Sequence, residues 1–278
     1  MIKIIAPGMV KVDYGPLQMT ISAHHGNSPM TQIAEQAAYY AMKVFTQVAV
    51  QQQVAASPQQ VIGEISSLPE VLQCMITAVR RSGDVTLTPM AAVAGTIADL
   101  TADWLEAAGA AKVIVNNGGD IAIRLADGQT TVVGVAPAIG LKPTHRLALN
   151  AGREIGGIAT SGLGGRSFTK GIATAAVVAA PKASTADACA TSLANATYVE
   201  HWGIKTAWAE DLDPNTDIRG HRVVREVGLL PPAVVEQALL GGWTRAAELV
   251  KQGLIDGAAV FVQHQLVMIP EDFLTEIR

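Results

Sequence analysis

The stretch VIVNNGGDIAIRL, Val113–Leu125, decides how this chain is read. An apolar run enters an Asn-Asn-Gly-Gly turn, a lone carboxylate (Asp120) follows, and an alternating strand leaves. Paired glycines open backbone angles closed to other residues and let a ligand approach the main chain. The same residues also read as an ordinary hairpin with a type I′ turn. Two further segments favour the ligand-facing reading: GGIATSG at Gly156–Gly162 and ADACATS at Ala186–Ser192.

Working outward, the pattern predicts strands at 112–116, 120–125, 130–136 and 145–150, and an apolar strand over 172–180. Upstream, residues 1–26 read as two strands. Ser28-Pro29 then reads as a cap and first-turn proline for a helix to about Val54. Ser57-Pro58 and Leu68-Pro69 open two shorter helices, the second ending near Arg81. Thr88-Pro89 opens another, through Leu105. Ser184 or Thr185 caps a helix to about Tyr198, a strand lies near 205–209, two helices occupy 231–252, and a hairpin closes near 258–269. Helices and strands do not alternate regularly, which predicts an α+β fold of antiparallel sheets packed with helices, not a Rossmann sheet.

Composition sets the outer limits. Of 278 residues, 49% are hydrophobic and 16% charged, ample for a sizeable core. The net charge of −4 and the lack of a Lys/Arg run argue against a nucleic-acid partner. No apolar stretch approaches the roughly 20 residues of a membrane span. The first residues do not form a signal peptide, and Cys74 and Cys189 belong to no CxxC pair, which points to reduced thiols and a cytoplasmic protein. One domain over 1–278 is expected, with its motif-bearing core at about 85–200. The oligomeric state is left open.

Three groups of residues could carry chemistry. Asp187 and Thr191 stand four apart near a helix start, hence on one face, with Asn195 one turn on. Such oxygen donors suit Mg²⁺, and a helix N-terminus favours phosphate. A carboxylate near a helix start is also stabilising without any function. Gly156–Gly165 holds five glycines around Thr160 and Ser161, a loop able to cradle an anion, with Arg166 and Lys170 adding charge nearby. His24 and His25 end a strand, and one of them could serve as an acid or base. Asp211–Asp217 opens like a calcium loop but lacks the required glycine and final glutamate, so it reads as a solvated acidic turn.

In this order, Met90-Ala-Ala-Val-Ala-Gly95, Asn116-Asn-Gly-Gly-Asp120-Ile, Ala159-Thr-Ser-Gly162 and Ala186-Asp-Ala-Cys-Ala-Thr191 resemble the ApbE family of flavin transferases. In that family FAD donates FMN to a protein threonine with Mg²⁺. The NNGGD and TSGxGGRS segments and the LDPxTD segment resemble a cytoplasmic branch of the same superfamily. The resemblance implies a T-fold-related architecture and a small phosphate-bearing ligand, with FAD the first candidate. It implies metal ligands at Asp187, Thr191 and the Val93 carbonyl, with Asp187 also catalytic. It places Asn116, Asn117, Gly118, Gly119, Asp120, Thr160, Ser161 and Gly162 on the cofactor. Two departures stand out. The family's lysine before Gly95 is Ala94, and Leu163–Lys170 replaces the longer H-x-I-D-P-x-T-G segment. A site lacking that histidine needs another proton carrier, so His24 or His25 is expected to line it. Weak FMN transfer is also expected. The alternatives are a non-catalytic binding protein on the same scaffold and a biosynthetic enzyme with a non-flavin substrate.

Overall fold

A computed structural model of the chain describes residues 1–277. The elements in order are β1 (Ile2–Ala6), β2 (Met9–Tyr14), β3 (Leu17–His25), β4 (Ser28–Pro29), α1 (Thr31–Val50), α2 (Gln52–Ala55), α3 (Glu70–Ser82), α4 (Val93–Ala107), β5 (Lys112–Asn117) and β6 (Asp120–Leu125). They continue with β7 (Thr130–Val135), β8 (His145–Asn150), β9 (Gly157–Ser161), β10 (Ala175–Ala180), α5 (Ala183–Asn195) and β11 (Ile204–Trp208). The last are α6 (Ala209–Leu212), β12 (Arg222–Val227), α7 (Pro232–Lys251), β13 (Gly257–Val262), β14 (Gln265–Ile269) and β15 (Thr275–Glu276).

Ten strands form one antiparallel sheet in the order β1-β2-β3-β5-β6-β9-β10-β13-β14, with β4 beside β3. The architecture is α+β. Along β3, Leu17, Met19, Ile21 and Ala23 alternate into a core shared with α1, α3 and α4. At β10 both faces are covered, which explains its unbroken apolar sequence. Ala176, Val178 and Ala180 face α5 and α7, while Ala175, Val177 and Ala179 meet Leu147 and Leu149 of the small β7-β8-β15 sheet.

Several elements depart from the sequence reading, each for an identifiable reason. The first 26 residues make three strands, not two, because Gly8 and Gly15 (φ +71° and +60°) each close a turn. Ser28-Pro29 does not open α1. It pairs with His24 and His25, so the helix starts at Thr31. Gln59–Val61 forms only a 3₁₀ turn, with the Gln59 side chain donating to the Asp84 and Leu87 carbonyls. Gly156-Gly157 is not ligand-facing loop. Gly157 begins β9, and a Cβ there would collide with the Ala183 backbone. The paired glycines Gly241-Gly242 do not split α7; they let it approach Ala196, Thr197 and Val260.

The start of α5 differs most instructively. Neither Ser184 nor Thr185 caps it, and no side chain of its own first residues does. The carboxylate of Asp99, on α4, accepts the N–H groups of Ala183 (3.0 Å) and Ser184 (2.8 Å). Its other partner is Arg124 of β6, at 3.1 Å, with both side chains largely buried. Arg124 also donates to the Gly156 carbonyl and pairs with Asp103.

Removing one member of a buried charge pair strands the other, a loss of about 3–5 kcal/mol. Asp99→Ala should therefore destabilise the protein by that amount in urea unfolding. A loss below about 1 kcal/mol, the range of a surface ion pair, would show that this carboxylate is not the anchor described.

Candidate functional site

Where the N-termini of α4 and α5 meet the tips of β5, β6 and β9, the chain encloses a cavity of about 750 Å³. That is within the usual range for small-molecule sites. Its lining is mixed: Leu17, Phe45, Val48, Met90 and Ile97 are apolar. Asn117, Asp120, Thr160, Ser161, Asp187 and Thr191 are polar.

Each polar group is placed by local structure. Gly118 and Gly119, at φ +74° and +115°, make the two-residue hairpin between Asn117 and Asp120. Asn116 Oδ1 accepts the Gly119 N–H at 2.9 Å, holding the turn. The buried Asn117 amide donates to the Ala94 carbonyl at 3.1 Å, tying that turn to the start of α4. On α5, Asp187 Oδ2 accepts the Gly95 N–H at 2.9 Å. Gly95 must be glycine, because a Cβ would strike the Ala183 carbonyl and Asp187.

The two carboxylates sit in unfavourable surroundings for charge. Burial pushes Asp120 up to about 7, with the Thr160 main chain and Arg166 pulling the other way. Burial raises Asp187 well above the ordinary carboxylate range, and the neighbouring charge of Asp120 adds to it, against hydrogen bonds from Gly95 and Ala94.

Of the residues singled out from sequence, Asn117, Gly118, Asp120, Thr160, Ser161, Gly162, Asp187, Thr191 and Val93 line this cavity. Asn116 and Gly119 shape the turn without lining it. The histidines are elsewhere, contrary to expectation. His24 pairs across the sheet with Lys112 while Met19 pairs with Asn117, so the imidazoles sit at the opposite strand end, about 20 Å from Leu17 at 3.3 Å per residue. His24 packs against Gly8, and the exposed His25 faces the Gly109 carbonyl at 2.9 Å. Asn195 leaves the site as well, its Oδ1 accepting the Lys170 N–H. The acidic turn binds its own chain: Asp213 accepts the Asn215 N–H, and Asp217 the Thr88 hydroxyl.

Sequence reading missed the apolar lining. Phe45 falls on a helix face indistinguishable from core. Arg166, seen only as nearby charge, lies at the cavity mouth. Among the described residues, no three His, Cys, Asp or Glu side chains cluster closely enough to hold a metal by themselves, and no helix is long and apolar enough to cross a membrane.

A family model described as "AbpE bacteria" matches residues 2–268, and the chain belongs to that family. A UPF0280 protein of Methanococcoides burtonii is 39% identical over 144 residues, covering 51% of this chain and 59% of its own. Another, from Methanosarcina acetivorans, is 33% identical over 187 residues, 66% of each chain. The chain thus spans about half to two thirds of these curated relatives. Its fold is similar to that of the Pseudomonas stutzeri flavinyl transferase ApbE, with TM-score 0.52 at 12% identity over 96% of this chain and 94% of the other. It is also similar to the ApbE protein of Thermotoga maritima, with TM-score 0.51 at 10% identity over 93% and 96%.

Burial of Asp120 has a pH signature. A carboxyl raised from 3.8 to about 7 on folding makes the native state bind more protons than the unfolded chain between those values. Stability then falls as pH rises through that window and levels off above it. Metal-free wild type should lose melting temperature from pH 5 to pH 7.5, and Asp120→Asn should flatten the slope. Equal slopes in both proteins would remove Asp120 as the cause.

Proposed function

We propose that the cavity binds a flavin nucleotide together with Mg²⁺ and acts on its phosphate-bearing part, with FAD the first candidate ligand. The observation that carries this reading is the meeting of Asp187 and Thr191 of α5 with Asp120 of the β5–β6 turn on one cavity that apolar side chains also line. Family membership and the fold shared with flavinyl transferases support it.

The donors fit the ion. Asp187, Thr191 and the main chain at Val93 offer only oxygen, the ligand type Mg²⁺ takes, with water and phosphate completing its shell. Burial first, and then the charge of Asp120, raise the proton affinity of Asp187, a cost that a cation on this carboxylate would relieve. A carboxylate has about four acceptor positions, so the Gly95 hydrogen bond leaves Asp187 capacity for a ligand. When bound, Mg²⁺ would polarise a pyrophosphate and stabilise charge on the leaving group.

The protein's own groups divide the remaining work. Leu17, Phe45, Val48 and Ile97 take up an apolar ring system and exclude water from it. Asn117 holds the start of α4 against the glycine turn, so that Val93 faces the ligand. Thr160 and Ser161, fixed by pairing with Val177 and Ala176 in the sheet, border the cavity from opposite faces of β9, Thr160 through the main chain that faces Asp120. With both histidines outside, Asp120 is the group beside the ligand positioned to take a proton from an attacking hydroxyl. The cavity lining holds no histidine, lysine or cysteine. That favours, as a second reading, a protein that binds the flavin without turning it over.

Asp187→Asn keeps an acceptor for Gly95 but removes the charge. It should abolish Mg²⁺-dependent stabilisation by FAD, about 2.7 kcal/mol at a hundredfold excess over Kd, and leave metal-free stability within about 1 kcal/mol of wild type. FAD stabilising both proteins equally with Mg²⁺ present would defeat the assignment. Chromatography of FAD incubated with protein and Mg²⁺ separates the enzyme reading, which gives FMN or AMP, from the binding reading, which gives neither.

Transfer onto another protein should be weak. Ala94 replaces the transferase lysine, and the short Leu163–Lys170 segment supplies less wall to hold an acceptor threonine in line, where positioning provides much of the rate. Incubation with FAD, Mg²⁺ and a threonine-bearing acceptor should leave little fluorescent flavin on the acceptor in a denaturing gel. Efficient labelling would show that the short segment suffices.

A further inference from the structure

Arg166 is the only lysine or arginine among the described residues that line the cavity. It ends the Gly162–Gly165 run on the segment that is shortened relative to the flavin transferases. Its guanidinium reaches across the mouth to two other turns. Nη1 donates to the Pro16 carbonyl at 2.9 Å, and Nη2 lies against Gly118, where any Cβ would collide with it. Among the described residues Arg166 belongs to no ion pair, unlike Arg124 and Arg245. A guanidinium has five N–H donors in a flat fork that matches phosphate. One carbonyl uses few of them.

Charge balance gives this exposed cation a purpose. A divalent cation in the cavity would draw Asp120 and Asp187 into their charged forms and cancel that charge. A phosphate-bearing ligand then adds negative charge with no lysine in the lining to meet it. Lysine would also be a poor substitute at this place. The planar fork lies flat on a glycine turn, where a compact ammonium would present a single point charge.

We propose that Arg166, its guanidinium lying against Gly118, is the residue that recognises the ligand's phosphate. This rests on the reading that the ligand carries phosphate. It goes further in naming the group that separates phosphorylated from unphosphorylated ligands.

The test compares FAD, FMN and riboflavin binding with Mg²⁺ present, by flavin fluorescence, in wild type, Arg166→Gln and Arg166→Lys. Loss of a charge-assisted hydrogen-bond pair should weaken FAD and FMN about 10- to 100-fold in Arg166→Gln. Riboflavin should change less than twofold. Arg166→Lys should fall between. An equal loss for riboflavin and FAD would reduce Arg166 to a structural clip and overturn the proposal, as would no change for any of them. Inorganic pyrophosphate with Mg²⁺, followed by calorimetry, separates this from the flavin reading. If wild type binds no flavin but binds pyrophosphate and Arg166→Gln does not, the flavin reading fails and the role of Arg166 stands. If wild type binds neither, the proposal falls.

Discussion

The carboxylate of Asp99 accepts the first two N–H groups of α5, and that of Asp187 accepts an N–H at the start of α4. Asp99 belongs to α4 and Asp187 to α5, so each helix caps the other. Helix starts carry orphan donors and a partial positive charge, and this exchange satisfies both with two side chains. It also fixes where the helices begin relative to each other. Arg124 extends the arrangement into the sheet, since it binds Asp99, Asp103 and the Gly156 carbonyl. Helices α4 and α5, strand β6 and the residue that leads into β9 are thereby held through one charge network.

Reciprocal capping requires the helix starts to approach closely, and the sequence meets this with small residues. Helix α5 reads Ala-Ser-Thr-Ala-Asp-Ala-Cys-Ala-Thr-Ser, and glycines from three other segments close on it or its end: Gly95, Gly157 and Gly171. At each, a Cβ would collide with main chain of α5. The low aromatic content, 4%, follows from the same design: a central helix packed at backbone distance leaves little room for rings. Asp187 and Thr191 are the polar exceptions on a helix that is otherwise nearly all buried. They face the one side where the packing opens.

Much of this was legible in the chain. The strands at 112–117, 120–125 and 145–150 and the α+β class follow from local alternation and turn chemistry, which act within a few residues. The juxtaposition of the Asn117–Asp120 turn with Asp187 and Thr160 was readable only from an ordered set of motifs, because no local rule joins residues so far apart. Of the two glycine pairs read as ligand-facing, one misled. Gly118-Gly119 borders the cavity while Gly156-Gly157 and Gly241-Gly242 admit helix backbones, and nothing local separates a glycine that faces a ligand from one that faces a helix. The histidines misled for another reason. That a strand ends at His25 is local, but which end of the strand meets the cavity is set by the pairing of β3 with β5.

The cavity's mixed lining is the consequence with most bearing on function. Carboxylates buried beside one another are costly unless a proton or a cation accompanies them, and here the protein supplies no cation to either from within the pocket except at its mouth. The helix starts that ought to welcome an anion are already occupied by Asp99 and Asp187. A phosphate therefore cannot be held at those helix starts by the dipole alone, as it is in many nucleotide sites. Under the proposed reading it would be held by what lies opposite them: an ion on the carboxylate and the guanidinium over Gly118. On that reading, a lining that joins apolar side chains to buried carboxyls that charge only at a cost would take an anionic ligand well only with a cation in place, and that conditionality would be built from the same Asp187 carboxylate that caps α4.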